Sequence, residues 1–229
     1  MNLNSRDLSS GWIITNLSEI ITKPQYGWTT SAKKEGPGIK LLRTTDISSG
    51  TINWKTVPYC KKAPDNIEKY LLKKGDIVVS RAGSVGTNID ISDCPKAIFA
   101  SYLIRFRVVE PFLTRYISLF LKSSAYWSQI ADETSGITIP NVNATKLKRI
   151  VLPIAPLNEQ KRIVSKVESL FLESKTIREA LDRIIILIRG MHNYFYLLFS
   201  LFFMVRLLEP VTLHYLRLCL LSLFHVSCD

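Results

Sequence analysis

Three short segments of the sequence combine amide, hydroxyl and basic side chains with aromatic residues or glycine. They are QYGWTTSAKK (25–34), LLRTTD (41–46) and SRAGSVGTN (80–88). Amides and guanidinium groups form paired hydrogen bonds with base edges, and lysines neutralise phosphates, so these residue types suit the reading of duplex DNA. The plainer alternative is that each segment is an ordinary polar surface loop. The candidate DNA-contacting residues are Gln25, Tyr26, Thr29, Thr30, Lys33, Lys34, Arg43, Thr45, Arg81, Ser84 and Lys148.

The overall charge favours a polyanionic partner. The chain of 229 residues carries 30 lysines and arginines against 19 acidic residues, a formal net charge of +11. Proteins this basic commonly meet nucleic acid or an anionic membrane surface. A solvated basic surface without such a partner is the alternative.

The residue patterns that carry catalysis are missing. The sequence has no G-x-x-x-x-G-K-[ST] loop and no Asn/Asp-Pro-Pro-aromatic motif, which excludes a P-loop NTPase and a DNA methyltransferase. Pro64–Asp65 with Glu159–Lys161 loosely matches a nuclease motif, but Glu159 opens a predicted helix and the segments lie far apart, so we interpret the match as coincidence. All histidines lie at or after His192, which rules out a histidine triad in the body. No catalytic residue is predicted.

The cysteines argue against a metal or cofactor site. Cys60, Cys94, Cys219 and Cys228 form no C-x-x-C pair, so neither a zinc site nor a thioredoxin-type centre is expected. The start, MNLNSRDLSSGW, is polar and lacks the apolar stretch of a secretory signal. We therefore predict a cytoplasmic protein with free thiols, no metal and no cofactor.

The strands that position the three segments are predicted to be short. Apolar runs bounded by turn residues favour buried strands at 39–47 and 75–83. The alternating pattern of 97–109 favours a strand pair or one long strand. Residues 135–154 are typical of a loop, a short helix and a strand.

The remaining elements of this part are helical or irregular. Residues 111–130 have helical spacing, and 25–38 has the composition of a loop. Tyr102 and Trp127 are expected in the core. The fold class that follows is an α/β (α+β) domain over 1–155.

A long helix is predicted after this domain. Residues 157–188 contain neither Gly nor Pro, and Pro156 suits a first helical turn. Apolar residues recur at alternating steps of four and three, the heptad pattern of a coiled coil. At 1.5 Å per residue the helix is roughly 45–50 Å long, which we interpret as a coiled-coil spacer helix over 156–189; the alternative is a helix lying on its own domain. The predicted seam is Ile163, Val167, Leu170, Ile177, Leu181 and Ile184.

The last part of the chain, 190–229, has a different composition. It contains no lysine but all three histidines. Its apolar runs of about a dozen residues are shorter than the ~18–20 that span a bilayer, so no stable membrane span is expected. The abrupt change suggests translation out of the ancestral frame, and the alternative is an interfacial apolar segment.

Several segments of the sequence occur together in one known family. They are GWIITNLSEI, QYGWTTSA, LLRTTDISSGTINWKTVPYC, YLLKKGDIVVSRAGSVG, FASYLIRFRV, IREALDRI and, most specifically, LPIAPLNEQKRIV at the junction of domain and helix. With these segments, residues 10–183 resemble the specificity (S) subunit of type I restriction–modification enzymes.

The resemblance implies a target recognition domain of mixed α/β build followed by a spacer helix. In this family the S subunit is not catalytic. It binds double-stranded DNA and docks modification (methyltransferase) subunits, which the restriction subunits join. One chain normally carries two recognition domains, and two antiparallel helices set the distance between the halves of a bipartite site.

The sequence departs from the family pattern in two ways. It carries one recognition domain, and beyond about Arg183 it lacks the usual lysine-rich end of the spacer helix. The first departure suits a half-subunit that forms a homodimer through the spacer helix. Two alternatives stay open: a non-functional truncated S-subunit remnant, and a membrane-associated coiled-coil protein that uses the apolar tail.

Overall fold

The computed structural model describes residues 10–136, 138 and 140–224, with side chains through residue 201 except that of Asn193. The chain divides into two compact units, Met1–Val167 and Glu168–Asp229. The expected mixed α/β domain followed by a long helix is confirmed.

The strands are β1 (Ile13–Asn16), β2 (Gln25–Tyr26), β3 (Ala32–Lys33), β4 (Lys40–Leu42), β5 (Tyr59–Cys60), β6 (Asp76–Ser80), β7 (Asn88–Asp90), β8 (Ala97–Phe99), β9 (Leu103–Arg107) and β10 (Val151–Ile154). The helices are α1 (Leu17–Ile20), α2 (Thr44–Ile47), α3 (Thr114–Phe120), α4 (Ser124–Thr134), α5 (Ala144–Lys148) and α6 (Leu157–Phe224).

The described strands form three sheets. An antiparallel sheet has the order β2-β9-β6-β7, and a second sheet has the order β3-β5-β4-β8, in which β4 and β8 run parallel. The third sheet is the antiparallel pair β1-β10, with Ile13 opposite Ile154 and Asn16 opposite Val151. This pair joins the first strand of the domain to its last strand, directly before α6.

The central strand β6 is buried on both faces. Ile77 and Val79 pack in a core that also contains Ile117 of α3 and Tyr126 of α4. Val78 points to the opposite face, since side chains alternate along a strand, and packs in a second core. Because both faces are covered, the strand is a continuous apolar run, and such a run is what predicts it from sequence.

The buried carboxylate of Asp76 organises the start of β6. Asp76 is fully buried, accepts a hydrogen bond from the backbone N–H of Lys73 at 2.8 Å, and forms ion pairs with Arg105, at 3.7 Å, and Arg107. Buried charges need such partners because an unpaired charge in the interior is strongly destabilising. Burial lowers the pKa of Arg105, and the charge of Asp76 partly offsets this. The two arginines of β9 are therefore structural.

Two predicted strand regions differ in detail from the expectation. The run 39–47 is a strand only to Leu42, after which α2 begins. The run 97–109 forms two strands that belong to different sheets, separated by a turn in which the N–H of Leu103 bonds to the carbonyl of Ala100 at 2.9 Å. Alternation identified both strands, but partner choice depends on residues far away in the chain.

The helical and irregular regions also show differences. Residues 111–130 are not one helix: a 3₁₀ turn at Pro111–Leu113 precedes α3, and α4 restarts at Ser124. The restart has a local cause, since the side chain of Ser123 accepts a hydrogen bond from the N–H of Tyr126 at 3.3 Å. The expected loop 25–38 contains the short strands β2 and β3.

The long helix begins directly after Pro156, as predicted, and extends to Phe224 rather than ending near residue 188. Ile163 packs against the first core, whereas the later seam positions Leu170 and Leu181 are 49% and 53% exposed. The seam therefore starts on the domain and then becomes an open face. The predicted boundaries at 155/156 and 189/190 stay predictions.

The helix also carries an apolar stretch that is longer than the separate apolar runs of the sequence. Within Leu157–Leu201, one window of 18 residues has a mean hydropathy of 1.4 with none of it buried, which is long and apolar enough to cross a bilayer. The continuous helix joins the apolar runs across their polar interruptions, and it therefore passes this test of length and composition although each run is short. That no stable membrane span forms stays a prediction. Length and composition of this kind also occur in helices of water-soluble proteins.

Candidate nucleic-acid interface

The turn after β6 holds the best-defined candidate contact. Gly83 and Gly86 adopt φ values of +77° and +84°, which suit glycine. The backbone of Arg81 is fixed on both sides: its N–H donates to the carbonyl of Tyr102 at 2.9 Å, and its carbonyl accepts from the N–H of Val142 at 3.0 Å. This turn therefore joins three segments that are distant in sequence.

The side chain of Arg81 stacks on an aromatic ring. Its guanidinium carbon lies 4.9 Å from the ring centroid of Tyr26. The hydroxyl of Tyr26 accepts a hydrogen bond from the N–H of Ala144, the first residue of α5, at 3.0 Å. Stacking of this kind fixes the plane of a guanidinium group without using its N–H donors.

Arg81 differs from Arg43, Arg105 and Arg107 in having no acidic partner among the described residues. Its Nε is buried without a hydrogen-bond acceptor, and in the described part of the chain no carboxylate lies within ion-pair distance of it. A half-buried cation without a counter-charge is destabilising, and binding of an anion or a base edge relieves this. We call Tyr26, Arg81, Tyr102 and Ala144 the Arg81 cluster.

Two exposed aromatic residues flank the turn of Arg81, and the expectation that both lie in the core was wrong. Tyr102 is 62% exposed and Trp127 is 41% exposed. Trp127 packs so closely on Gly86 that a Cβ there would lie 3.0 Å from its ring. The turn holds Tyr102 outward because residues 100–102 connect strands of two sheets. The position of Tyr102 on a turn between two strands is the sequence signal that could have indicated its exposure.

The amide of Gln25 is occupied within the domain. Its Oε1 accepts from Nη2 of Arg105 at 2.6 Å and its Nε2 donates to the carbonyl of Lys69 at 2.7 Å. Both edges of the amide are thus engaged, whereas a paired contact with adenine needs both of them free. The two bonds give Gln25 a bracing role within the domain, and its base contact stays a prediction.

Arg43 is likewise occupied. Its Nε and Nη2 donate to the carboxylate of Asp46 at 3.0 and 2.8 Å, and its backbone N–H donates to the same group at 2.8 Å. Hydrogen bonding with Asp46 raises the pKa of the Arg43 guanidinium. The pair closes the first turn of α2 and engages the Nε–Nη2 side of the guanidinium, and a base contact by Arg43 stays a prediction. Thr45, in the same short helix, is exposed.

The other candidates lie either in or beside β3 or near Arg81. Thr30 helps to hold its loop, since its hydroxyl accepts from the N–H of Lys62 at 3.3 Å, while Thr29 is exposed. The Nζ of Lys33 donates to the carbonyl of Pro37 at 3.4 Å. Of the remaining three, Lys34 and Ser84 are exposed and Lys148 is half-buried one turn beyond Ala144. The structure thus joins Tyr26 and Arg81 directly, with Ser84 in the same turn and Lys148 on the adjoining helix.

Neither metal-binding nor nuclease geometry is present in the part of the chain that is described. Its residues include no group of three or more His, Cys, Asp or Glu that could hold a metal ion. Cys60 and Cys94 are free thiols. Glu159, from the loose nuclease match, accepts hydrogen bonds from Arg162 at 2.8 and 2.6 Å, and these bonds lower the pKa of its carboxyl.

Comparison with known proteins decides the family. A model of the type I restriction modification DNA specificity domain matches residues 9–184. The chain belongs to this family. In this specificity-domain protein the matched residues cover the α/β domain and α6 as far as residue 184.

Curated relatives and solved structures agree with this assignment. The chain is 22% identical over 176 residues to the specificity subunit of the type I restriction enzyme EcoKI from Escherichia coli (strain K12), covering 73% of this chain and 38% of that subunit. It is 27% identical over 151 residues to the EcoAI specificity subunit of Escherichia coli, covering 62% and 24%. The crystal structure of the HsdS subunit from Thermoanaerobacter tengcongensis has the same fold, with a TM-score of 0.54 at 19% identity, covering 76% of this chain and 41% of that one.

This specificity-domain protein spans less than half the length of these relatives. The matches favour DNA sequence recognition over the alternatives of a truncated remnant or a membrane-associated coiled-coil protein.

Proposed function

We propose that this chain is the DNA sequence-recognition part of a type I restriction–modification system in the cytoplasm. It would direct modification (methyltransferase) and restriction subunits to a bipartite site in double-stranded DNA and would contribute no catalytic group of its own. The observation that carries the proposal is the uncompensated guanidinium of Arg81, stacked on Tyr26 within a domain of the specificity family.

The Arg81 cluster has the chemistry of a DNA contact. The guanidinium keeps its Nη donors for a phosphate or a guanine edge, both of which accept two parallel hydrogen bonds from arginine. Tyr102, exposed beside it, offers an aromatic face and a hydroxyl. The excess of basic residues over the whole chain adds the sequence-independent attraction that brings DNA to such a contact.

The open seam of α6 supports the proposal of a two-part site. Leu170, Ile177, Leu181 and Ile184 are each about half exposed, although they form one stripe at heptad spacing. A second antiparallel helix, from another copy of this chain, would cover that stripe. Two identical chains related by a two-fold axis would then place two recognition domains on one interrupted palindrome.

The deciding experiment uses the assembled complex. The chain is purified with its cognate methyltransferase subunits and is offered a library of randomised duplexes, after which the methylated molecules are sequenced. We expect methylation at one interrupted palindrome. Arg81→Ala is expected to abolish this enrichment, whereas Lys166→Ala, which removes an exposed charge from α6, is expected to retain it. A folded chain that neither binds the subunits nor biases methylation overturns the proposal.

A further inference from the structure

One backbone segment, directly before and at the start of α5, contacts both members of the stacked pair. The N–H of Val142 donates to the carbonyl of Arg81 at 3.0 Å, and the N–H of Ala144 donates to the hydroxyl of Tyr26 at 3.0 Å. These two N–H groups lie on either side of Asn143 in the chain. The position of the stacked pair therefore depends on the backbone conformation at Asn143.

Asn143 is the N-cap of α5. Its backbone is extended, with φ −96° and ψ 173°, and its side-chain oxygen accepts a hydrogen bond from the N–H of Lys146 at 2.9 Å. The first N–H groups of a helix have no partner inside that helix. Here the side chain of Asn143 binds the N–H of Lys146, while Tyr26 binds that of Ala144. The start of α5 is thus joined to the stacked pair by its own first N–H.

The cap matters because α5 has only five residues. Helices shorter than about 12 residues are marginal without support from outside. Val142 and Leu147 are fully buried in the first core and hold the two ends of this segment on the domain. Between these two anchors, the hydrogen bond of the Asn143 side chain fixes where the helix begins, and with it the direction of the Ala144 N–H.

The side chain of Asn143 can be exchanged without opening a cavity, because it is exposed. Alanine at an N-cap removes the side-chain acceptor, whereas serine supplies another oxygen that caps about as well as asparagine. The capping bond can therefore be removed and restored at this one position.

We propose that Asn143 is a positioning residue for DNA recognition. By capping α5 it holds the N–H groups of Val142 and Ala144 where they fix the backbone of Arg81 and the ring of Tyr26, so the guanidinium plane is set before DNA arrives. Without the cap, the stacked pair has to be ordered on binding, and this ordering weakens the affinity. The inference rests on the proposed function, because it needs Arg81 as a DNA contact.

The test measures the anisotropy of the labelled cognate duplex with the assembled complex. Asn143→Ala is expected to weaken binding about three- to tenfold, the range for loss of an N-cap. Asn143→Ser is expected to bind like the unaltered chain. The matched control is Asn53→Ala, which also removes an exposed asparagine whose side chain accepts from a backbone N–H, that of Lys55 at 3.1 Å. This control is expected to leave the affinity unchanged.

A double-mutant cycle separates positioning from other roles of Asn143. In the Arg81→Ala chain, adding Asn143→Ala is expected to cause no further loss, because the cap acts through Arg81. Equal fold losses with and without Arg81 would mean that Asn143 contacts DNA itself or only supports folding, and would overturn the inference. So would failure of Asn143→Ser to restore binding, or full affinity of Asn143→Ala.

The same titrations distinguish failure of this inference from failure of the proposed function. If Arg81→Ala weakens binding but the effect of Asn143→Ala does not depend on Arg81, only the positioning role is wrong. If Arg81→Ala binds like the unaltered chain, the DNA contact of the proposed function is wrong, and the positioning role is overturned with it.

Discussion

The guanidinium of Arg81 lies over the ring of Tyr26, 4.9 Å from its centroid, while the Tyr26 hydroxyl accepts from the N–H of Ala144 at 3.0 Å. The ring fixes the plane of the guanidinium and leaves its terminal donors unused. Arg43 shows the opposite arrangement, because the carboxylate of Asp46 accepts hydrogen bonds from its Nε and Nη2. The two arginines are equivalent as sequence candidates, yet among the described residues Asp46 engages one side of the Arg43 guanidinium and no carboxylate engages that of Arg81.

Arg81→Ala should weaken DNA binding by the assembled complex by about 10- to 100-fold, the range for loss of a charge-assisted hydrogen bond. Arg81→Lys should recover only part of the loss, since an ammonium group keeps the charge but neither the planar fork nor the stacking. Anisotropy of a labelled cognate duplex measures both. If Arg81→Ala binds as well as the charge-matched Lys166→Ala, Arg81 does not contact DNA.

Tyr102→Ala should weaken DNA binding without changing its salt dependence, because the side chain is uncharged and 62% exposed beside Arg81. The expected loss is about 1–3 kcal/mol if a base stacks on the ring. Titrations at several salt concentrations test this. Tyr102→Phe is the control and should bind like the unaltered chain; a loss of similar size in Tyr102→Phe would point to the hydroxyl rather than the ring.

The double change Lys33→Ala with Lys34→Ala should weaken binding to all duplexes alike. Each lysine that neutralises a phosphate contributes about 0.9 to the slope of log K against log salt, so the slope should fall by roughly 1.8. The ratio of cognate to non-cognate affinity should stay unchanged, since phosphate contacts carry no sequence information. Identical slopes before and after the change would remove both lysines from the list of phosphate contacts.

Arg43→Ala should lower stability more than it lowers DNA affinity. The pair with Asp46 closes α2, but the Arg43 side chain is 41% exposed, so solvent screening limits the expected loss to about 0.5–1 kcal/mol. Thermal unfolding of Arg43→Ala, Asp46→Ala and the double variant checks this. The double variant should be no less stable than either single one, and additive losses would show that the two side chains act separately.

Leu170→Asp with Leu181→Asp should leave the recognition domain folded and abolish self-association through α6. Each buried leucine contributes about 1.5–3 kcal/mol, and an unpaired carboxylate in the seam costs more than the lost contact. Sedimentation velocity measures self-association, and circular dichroism measures whether the domain is folded.

The matched control for the seam variant is Leu172→Asp with Ile186→Asp. These residues are 67% and 66% exposed and lie on the opposite side of the heptad from the seam. The control should still self-associate. A chain that is monomeric before any substitution would disprove the two-copy arrangement while leaving the DNA contact untouched.

The sequence by itself determined the features that depend on local periodicity. The continuous apolar run predicts β6, the alternation at 97–109 predicts β8 and β9, and Pro156 with the heptad pattern predicts the start of α6 and its seam. The most specific motif, LPIAPLNEQKRIV, lies where β10 ends and α6 begins, and the family follows from it. These features depend on residues that are close together in the chain, so they can be predicted from the sequence.

Only the tertiary structure decided which polar side chains are available for binding. Gln25 and Arg43 have the right types for base contacts, but Arg105, Lys69 and Asp46 already use part of their hydrogen-bonding capacity. Tyr102 reads as a core residue in an apolar run, yet a turn between two sheets exposes it. The physical reason is that a hydrogen-bonding group is free or occupied according to its neighbours in space, and pairing of β2 with β9 brings together residues that sequence spacing does not relate.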